Sequence, residues 1–383
     1  MTSITPLILT GNNAFHKQSD YDTVTKNEMQ QRGALKTVNY RFETESKVMR
    51  VAKIIFAIIF FPVGIFWGLH ALIGKIIVQS SWRTTLPVKN EDVKINDFRK
   101  MAVDSYSQHK NGKDWKIKRI TVEVNGTSID GYIVGQEKTL GNGRWVLHSN
   151  GNGEMYEMGL AFEGSSKGYH SMLKKLNANG LFFNYSGVGD SGGAPTRPEL
   201  VAAYQGMLRY LEDDKKGLGA KEIIAHGHSL GGGVQGEALK NYSLSNKIKY
   251  LFVKDRTFYD LCAAIAGMFN AAVAFLAKIF CWNISSVETS KGMKSPEVII
   301  QTASSKDYEE IKKASDVIGD GVISGEGSHA KKLLSDPQCP KANKKFIGVS
   351  KIPGDDAHCE SLKWSKLAPI FEKQLKLQPA QAA

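Results

Sequence analysis

The residue best suited to covalent chemistry is Ser229, at the centre of Gly227-His228-Ser229-Leu230-Gly231. A short apolar run, Ile223-Ile224-Ala225, enters this turn, and the residues after it have helical spacing. A strand, a sharp turn and a helix in that order lift a serine hydroxyl above the edge of a sheet. Glycines suit the turn because strand and helix approach each other closely there. The pattern predicts Ser229 as a nucleophile, although a plain turn with an exposed hydroxyl has the same residues.

The predicted general base is His358. A serine hydroxyl is a weak nucleophile, so it needs an imidazole to take its proton and a carboxylate to orient that imidazole. His358 lies in a loop between the last predicted strand, residues 345–350, and a terminal helix at 360–375, from where it can fold back over the serine. His329 is the second choice, because the other histidines lie on the turn itself, at a strand end or near the N-terminal region.

The predicted acid is Asp320, in Gly319-Asp320-Gly321-Val322-Ile323. The chain order Ser, Asp, His requires a carboxylate after the strand at 296–301 and before the histidine. Asp307 lies closer to the end of that strand and is an alternative. Asp255, after the preceding strand, is a third choice, although a hydrogen bond to the backbone of its own turn would also explain it.

Two backbone amides are predicted to hold an oxyanion. Acyl transfer places negative charge on the substrate carbonyl oxygen, and N–H groups fixed in advance stabilise that charge. One donor is the amide of Leu230, directly after the serine. The other is the amide of Asn150, in the glycine-rich loop that follows a predicted strand at 144–147. A plain strand-to-helix turn and a phosphate cradle are the alternatives for this loop. The chemistry needs no metal and no organic cofactor.

Predicted strands and helices alternate along the rest of the chain. Asn125-Gly126 joins two runs of alternating apolar residues, 117–124 and 127–134, and this predicts a β-hairpin. Further strands are predicted at 181–185 and 248–253. This order predicts the α/β class with a doubly wound, mostly parallel sheet.

The charge and cysteine content of the chain indicate what kinds of partner it binds. Lysine and arginine number 50 against 38 aspartates and glutamates, and the net charge of +12 favours anionic surfaces. No nucleic-acid-binding motif accompanies this charge, so we expect membrane lipid rather than nucleic acid as the partner. The four cysteines lack Cys-x-x-Cys spacing, which argues against a zinc site or a disulfide scaffold and predicts free thiols in a reducing compartment.

An uncharged stretch of 21 residues, 54–74, lies between Lys53 and Lys75. If helical, its length matches the hydrocarbon thickness of a bilayer. Pro62 and Gly64 interrupt it, so a kinked span, a re-entrant hairpin, an interfacial helix and a helix packed on the core all remain open. Basic residues flank both ends and leave the orientation undecided.

The predicted organisation has four parts. Residues 1–50 form a polar N-terminal arm, 51–79 an apolar membrane-associating segment, 80–116 a connector and 117–376 an α/β domain. Within that domain a second apolar stretch, 261–282, is a cap helix, a membrane-contacting element or a buried helix.

The sequence resembles the α/β-hydrolase superfamily over about residues 117–375. The motifs that carry the resemblance are His148-Ser149-Asn150-Gly151, Gly189-Asp190-Ser191, Gly227-His228-Ser229-Leu230-Gly231 and His358. More narrowly, it is similar to membrane-associated hydrolase-like proteins of chlamydia-type and legionella-type intracellular bacteria. The motifs for this likeness are Phe61-Pro62-Val63-Gly64, Ser149-Asn150-Gly151-Asn152-Gly153 and Asp255-Arg256-Thr257-Phe258. Ser149 stands where the superfamily usually has glycine, and the acid loop is longer than usual.

The resemblance and the site residues together imply a membrane-associated serine hydrolase acting on an ester, thioester or lipid acyl bond. The expected substrate is a small molecule or an acyl lipid, with the hydrolase domain in a reducing, cytosolic compartment or secreted into a host cell. Two alternatives stay open. One is a catalytically inactive protein of this fold that acts in binding or as a membrane-targeted effector, and the other is a serine peptidase.

Overall fold

A computed structural model describes residues 27–29, 31–83, 98–101, 115–136, 138–161, 169–268, 270–304, 307–350 and 356–376. Parts of the predicted arm and connector, and residues 351–355 of the loop before His358, lie outside the described residues.

The secondary-structure elements alternate along the chain. The strands are β1 (Tyr40–Phe42), β2 (Trp115–Val124), β3 (Thr127–Gln136), β4 (Arg144–Ser149), β5 (Asn179–Phe183), β6 (Glu222–His228), β7 (Lys249–Asp255), β8 (Glu297–Thr302), β9 (Glu309–Glu310) and β10 (Lys344–Val349). The helices are α1 (Lys47–Ile59), α2 (Phe61–Ile77), α3 (Ser80–Arg83), α4 (Tyr156–Ala161), α5 (Tyr169–Leu176), α6 (Arg197–Glu212), α7 (Leu230–Leu239), α8 (Leu261–Met268), α9 (Ala271–Ile279), α10 (Val287–Gly292), α11 (His329–Ser335) and α12 (Trp364–Lys376).

The chain divides into two compact units. Unit 1 contains the residues up to Trp145 together with 152–173 and 177–220, and unit 2 contains 146–151, 174–176 and the chain from Lys221 onward. The domain boundaries drawn from the sequence, at residues 50, 79 and 116, stay a prediction.

Unit 1 is built on an antiparallel hairpin. β2 and β3 pair from Trp115 opposite Gln136 to Val124 opposite Thr127, so the predicted hairpin is confirmed. Asn125 and Gly126 both have positive φ, which is the conformation that a two-residue turn between twisted strands requires. β1 adds to β2 in parallel, and β5 pairs antiparallel with β3.

Unit 1 also buries a cluster of charges, hereafter the arginine cluster. Arg99 contacts Asp130 (3.0 Å), Glu157 (2.7 Å) and Asp190, and Arg119 contacts Asp130 (2.8 Å) and Asp190 (3.0 Å). Burial alone would raise the pKa of Asp190, but the charge of Arg99 and its hydrogen bond, with help from Arg119, lower it. These charges are retained in the interior because each has opposite charges within contact.

Unit 2 carries the parallel part of the fold. Its strand order is β4-β6-β7-β8-β10-β9, in which β6, β7, β8 and β10 run parallel and β9 pairs antiparallel with β10. The inner strands β6, β7 and β8 are buried along nearly their whole length, as strands covered by helices on both faces are. Their carboxyl ends share one edge, where the chain passes into the loops that carry Ser229, Asp320 and His358. The predicted α/β class with a mostly parallel sheet is confirmed.

The two apolar stretches form helix pairs. α1 has no buried residue and α2 buries only His70 and Gly74, so neither helix lies inside the core of the described structure. Within the described residues, no helix by itself has both the length and the hydropathy of a membrane span. Taken together, α1 and α2 have the length and the hydropathy of a span, but they are bent by 110° relative to each other. The stretch predicted at 261–282 is likewise two helices, α8 and α9, with Asn270 capping the second.

Candidate active site

Ser229 sits at the sharp turn between β6 and α7. Its backbone has φ 50° and ψ −115°, a conformation that costs a non-glycine residue about 1–3 kcal/mol. Two hydrogen bonds hold it there. The Ser229 amide donates to the carbonyl of Asp255 (2.9 Å), and the Thr257 hydroxyl donates to the carbonyl of Ser229 (2.6 Å). The serine hydroxyl is thereby fixed at the end of the strand.

The glycines of the turn are required by close backbone contacts. A Cβ on Gly227 would lie 2.7 Å from the backbone of Gly231, and a Cβ on Gly231 would overlap the carbonyl oxygen of Ser149. A Cβ on Gly232 would lie 2.8 Å from the Thr257 side chain. The steric reason expected for the glycines beside Ser229 is confirmed.

The structure brings the three predicted side chains together. Nε2 of His358 lies 2.9 Å from Oγ of Ser229, and Nδ1 of His358 lies 2.8 Å from Oδ2 of Asp320. All three side chains are buried. A parallel sheet with the serine in the turn after β6 and the histidine after the last parallel strand is the α/β-hydrolase fold.

Asp320 is held as an anion. Its Oδ1 accepts from the amides of Val322 (2.9 Å) and Ile323 (2.7 Å). Burial on its own would raise the pKa of Asp320, but the hydrogen bond and charge of His358 and these two amides lower it. A carboxylate at Nδ1 assigns the proton of neutral His358 to Nδ1, which leaves Nε2 to accept the proton of Ser229.

The alternative acids have other partners. Asp307 binds Nζ of Lys363 (2.6 Å) and the hydroxyl of Ser350 (3.2 Å). Asp255 forms two hydrogen bonds with Arg256, at 2.7 and 2.8 Å, and the Arg256 charge outweighs burial to hold the pKa of Asp255 well below its usual range. Of the three candidates, only Asp320 has a hydrogen bond with His358 among the described residues.

His329, the second choice for the base, is buried and its ring nitrogens have other partners. Its Nδ1 lies 3.0 Å from the hydroxyl of Ser286, and its Nε2 lies 3.1 Å from that of Ser290. Burial, with the charges of Lys254 and Lys344, holds the pKa of His329 well below its usual value. It is therefore a neutral group inside the fold.

The two amides predicted for the oxyanion lie on adjoining segments. Leu230 is the first residue of α7, and the first N–H groups of a helix have no acceptor within it. Asn150 directly follows β4 and is buried. The Ser149 hydroxyl donates to the carbonyl of Gly231 (3.1 Å) and so ties the end of β4 to the first turn of α7. Ser149, which differs from the usual glycine, has a structural contact here that the sequence did not indicate.

Sequence reasoning also missed two side chains that hold the histidine loop. Nη1 of Arg256 donates to the carbonyls of Ala357 (2.8 Å) and Glu360 (2.7 Å). Nε2 of His228 lies 3.0 Å from the carbonyl of His358. The available signal was an arginine immediately after a buried strand, because a buried guanidinium needs several acceptors.

No group of three or more His, Cys, Asp or Glu side chains in the described part of the chain is arranged to hold a metal ion.

A protein-family model matches most of the chain. The family described as Chlamydia CHLPS protein (DUF818) matches residues 25–373. A curated relative, the multifunctional-autoprocessing repeats-in-toxin of Vibrio vulnificus, is 26% identical over 168 residues. That match takes in 43% of this chain but only 3% of the length of the toxin.

Solved structures with similar folds include two hydrolases. The Pyrococcus furiosus esterase Pf2001 shares 16% identity, with 68% of this chain and 88% of its own covered, at a TM-score of 0.44. The alpha-beta hydrolase (ABH) from Vibrio vulnificus shares 18% identity over 69% of this chain and 81% of its own, at 0.45. Identities and scores this low transfer neither an activity nor a substrate to this chain.

Proposed function

The chain belongs to the Chlamydia CHLPS protein (DUF818) family, and we propose that it is a serine hydrolase that cleaves an ester, thioester or lipid acyl bond. The observation that carries this proposal is the unbroken line of hydrogen bonds from Oγ of Ser229 through His358 to Asp320. A strained backbone at Ser229 supports it, because such strain is concentrated at functional sites.

The proposed reaction has two halves. Oγ of Ser229 attacks the substrate carbonyl carbon while Nε2 of His358 takes the hydroxyl proton. The amides of Leu230 and Asn150 hold the resulting oxyanion. The tetrahedral intermediate then collapses, the bond to the leaving group breaks, and His358 returns the proton to that group. Water attacks the acyl-serine in the second half, with the same proton transfers, and releases the acid.

Asp320 has the role of stabilising the charged imidazole. Because the pKa of Asp320 is lowered, the carboxylate is ionised at neutral pH and faces Nδ1 of His358 whenever that ring is protonated. In serine hydrolases, replacement of such a carboxylate by an amide costs about 10⁴-fold in rate because the imidazole takes the wrong tautomer.

We also propose an acyl lipid substrate and a location at a membrane in a reducing compartment. The exposed apolar helices and the net charge of +12 support a lipid surface. The four cysteines are free thiols, which supports a reducing compartment.

The test is a hydrolysis screen with p-nitrophenyl esters of increasing chain length, phospholipid vesicles and peptide p-nitroanilides. We expect turnover of an ester or phospholipid that falls to background in Ser229→Ala. Asp307→Asn is the matched control, since Asp307 binds Lys363, and should keep its activity. Cleavage of the anilides alone would favour a peptidase, and activity that survives in Ser229→Ala would refute the proposal.

A further inference from the structure

Helices α1 and α2, residues 47–77, form an apolar hairpin whose surface is largely uncovered in the described structure. Ile58 is 73% exposed, Ile59 69% and Phe61 70%, and no residue of α1 is buried. Helices that are apolar on most sides occur inside a protein core or in lipid. Something outside the described fold must therefore cover this hairpin.

The hairpin has a compact apex. α1 ends at Ile59, α2 begins at Phe61, and their axes bend by 110°. A Cβ on Gly64 would lie 2.6 Å from the carbonyl oxygen of Ala57, so the first turn of α2 packs directly on α1. Small residues at a helix contact allow such close approach. The packing of Gly64 on Ala57 fixes the angle between the helices.

Charge is distributed in a way that matches a lipid leaflet. No carboxylate occurs from residue 47 to residue 77, and the lysines and arginine lie only towards the open ends of the hairpin. Arg50 and Lys53 pair with Glu43 and Glu45, in the polar chain before α1. Lys75 lies in the last turn of α2. The apex is thus apolar and the open ends are polar and basic, as the acyl chains and anionic headgroups of one leaflet require.

The apolar part of α1 is short enough to lie within one leaflet. Residues 54–59, between Lys53 and the bend, extend roughly 9 Å at 1.5 Å per residue, whereas half of a typical hydrocarbon core is roughly 15 Å. We propose that the hairpin inserts apex-first into one leaflet of an anionic membrane, so that the chain enters and leaves on the same side. This proposal rests on the proposed location at a membrane and is independent of the hydrolase chemistry.

The first test compares two charges at different depths on α1. Full-length protein is sedimented with vesicles of phosphatidylcholine, with and without phosphatidylglycerol. Ile59→Asp at the apex should weaken binding by about 10- to 100-fold, the factor for placing a carboxylate in an apolar layer. Val48→Asp, an equally exposed site at the open end, should weaken it by less than about threefold. Thermal unfolding of both variants controls for folding.

Equal losses at the two sites, or a parent protein that does not bind anionic vesicles, would overturn the proposal. So would light scattering that shows a dimer dependent on Ile59 in the absence of lipid together with no vesicle binding, because a second copy would then be the occupant.

The second test measures topology. Val48→Cys and Gln79→Cys are combined in a chain whose four natural cysteines are replaced, and the protein is reconstituted by detergent removal. A membrane-impermeant maleimide is added, and labels per molecule are counted by mass spectrometry. If the hairpin inserts into one leaflet, both cysteines lie on the same side of the bilayer, and each molecule carries two labels or none. One label on every molecule would mean that the hairpin spans the bilayer and would refute the proposal.

A second inference comes from contacts in unit 2 and rests on the proposed function. The segment Asp255-Arg256-Thr257 binds both halves of the site. Asp255 and Thr257 hold the backbone of Ser229, while Arg256 binds the carbonyls of Ala357 and Glu360 on either side of His358. Arg256 itself is fixed by two hydrogen bonds with Asp255 and has a positive φ of 45°. We infer that Arg256 is a positioning residue that sets the distance between His358 and the serine.

The test separates positioning from stability. Active sites are counted by fluorophosphonate titration, and kcat per active site is measured for Arg256→Met and Arg256→Lys. Misplacement of His358 should lower kcat by about 100-fold in Arg256→Met at unchanged KM, with partial recovery in Arg256→Lys. Arg209→Met, on the surface of α6, is the control.

An unchanged kcat per active site in Arg256→Met would refute the inference, even if the variant melts at a lower temperature. Wild-type protein without activity dependent on Ser229 would refute the proposed function instead, so the two failures are distinguishable.

Discussion

Each unit buries a cluster of charged side chains. The two clusters differ in backbone conformation and in the groups that their side chains contact. In the arginine cluster of unit 1, Arg99 and Arg119 contact carboxylates. In unit 2, hydrogen bonds run from Asp320 through His358 to a hydroxyl, Oγ of Ser229. The backbone has positive φ at Ser229 and at Arg256. Buried charge alone therefore does not mark a reactive site. The difference is a residue with positive φ whose hydroxyl faces an imidazole, the pair that we propose as nucleophile and base.

The largest expected effect concerns Asp320, the acid that we propose in unit 2. Asp320→Asn should lower kcat by about 10⁴-fold, because the amide can donate to Nδ1 of His358 and stabilise the wrong tautomer. Asp307→Asn, which changes a carboxylate bound to Lys363, should leave kcat within about twofold. Steady-state hydrolysis of a soluble ester measures both. Equal losses would mean that Asp320 has no special role.

A substitution in the arginine cluster should lower the free energy of unfolding and leave catalysis unchanged. Arg99→Met removes the cation that contacts buried Glu157 and leaves Arg119 as the cation beside Asp130, and it should cost about 3–5 kcal/mol of unfolding free energy. Urea unfolding followed by circular dichroism measures this loss. Ester hydrolysis per folded molecule should not change, and a large drop in kcat at full folding would contradict the distinction between the clusters.

Strain at the serine predicts a stabilising substitution. Glycine adopts a positive φ without strain, whereas alanine does not. Ser229→Gly should therefore be more stable to unfolding than Ser229→Ala by about 1–2 kcal/mol. Both should be inactive. Urea unfolding measures the free energy of unfolding of both variants. Because neither variant has the hydroxyl, its loss does not contribute to the difference between them. An alanine variant as stable as the glycine variant would mean that the turn stores no strain.

The smallest effect is the pH dependence contributed by Asp320. Its pKa is lower in the folded protein than in the unfolded chain, so its stabilisation is present above about pH 4 and is lost as the pH falls through the folded value. Urea midpoints of wild type and Asp320→Asn should therefore converge as the pH falls below about 4. A constant difference down to the lowest accessible pH would contradict the ionised state of Asp320.

Sequence spacing predicted the elements that depend on local pattern. The alternating order of strands and helices, the turn at Ser229 and the loop position of His358 all follow from short-range signals. The choice between Asp320 and Asp307 stayed open, because both lie in loops after the same strand. Only the folded chain shows Lys363 bound to Asp307 and His358 bound to Asp320.

Contacts between distant segments could not be predicted. Arg256 meets carbonyls about a hundred positions later in the chain, and no local pattern encodes that meeting. Gly189-Asp190-Ser191 was one of the motifs of the superfamily resemblance, and nothing in it indicated that Asp190 binds Arg99 and Arg119. Pro62 and Gly64 indicated a break in the apolar stretch, but the 110° bend depends on how Gly64 packs on Ala57.

In the proposed mechanism, His358 and Asp320 make Ser229 nucleophilic. The most direct measurement is reaction of the purified protein with a fluorophosphonate, followed by peptide mapping of the adduct. We expect a single adduct at Ser229 in the wild type, no adduct in Ser229→Ala and much slower labelling in His358→Ala. No adduct in the folded wild type, or equal labelling of Ser229→Ala, would contradict it.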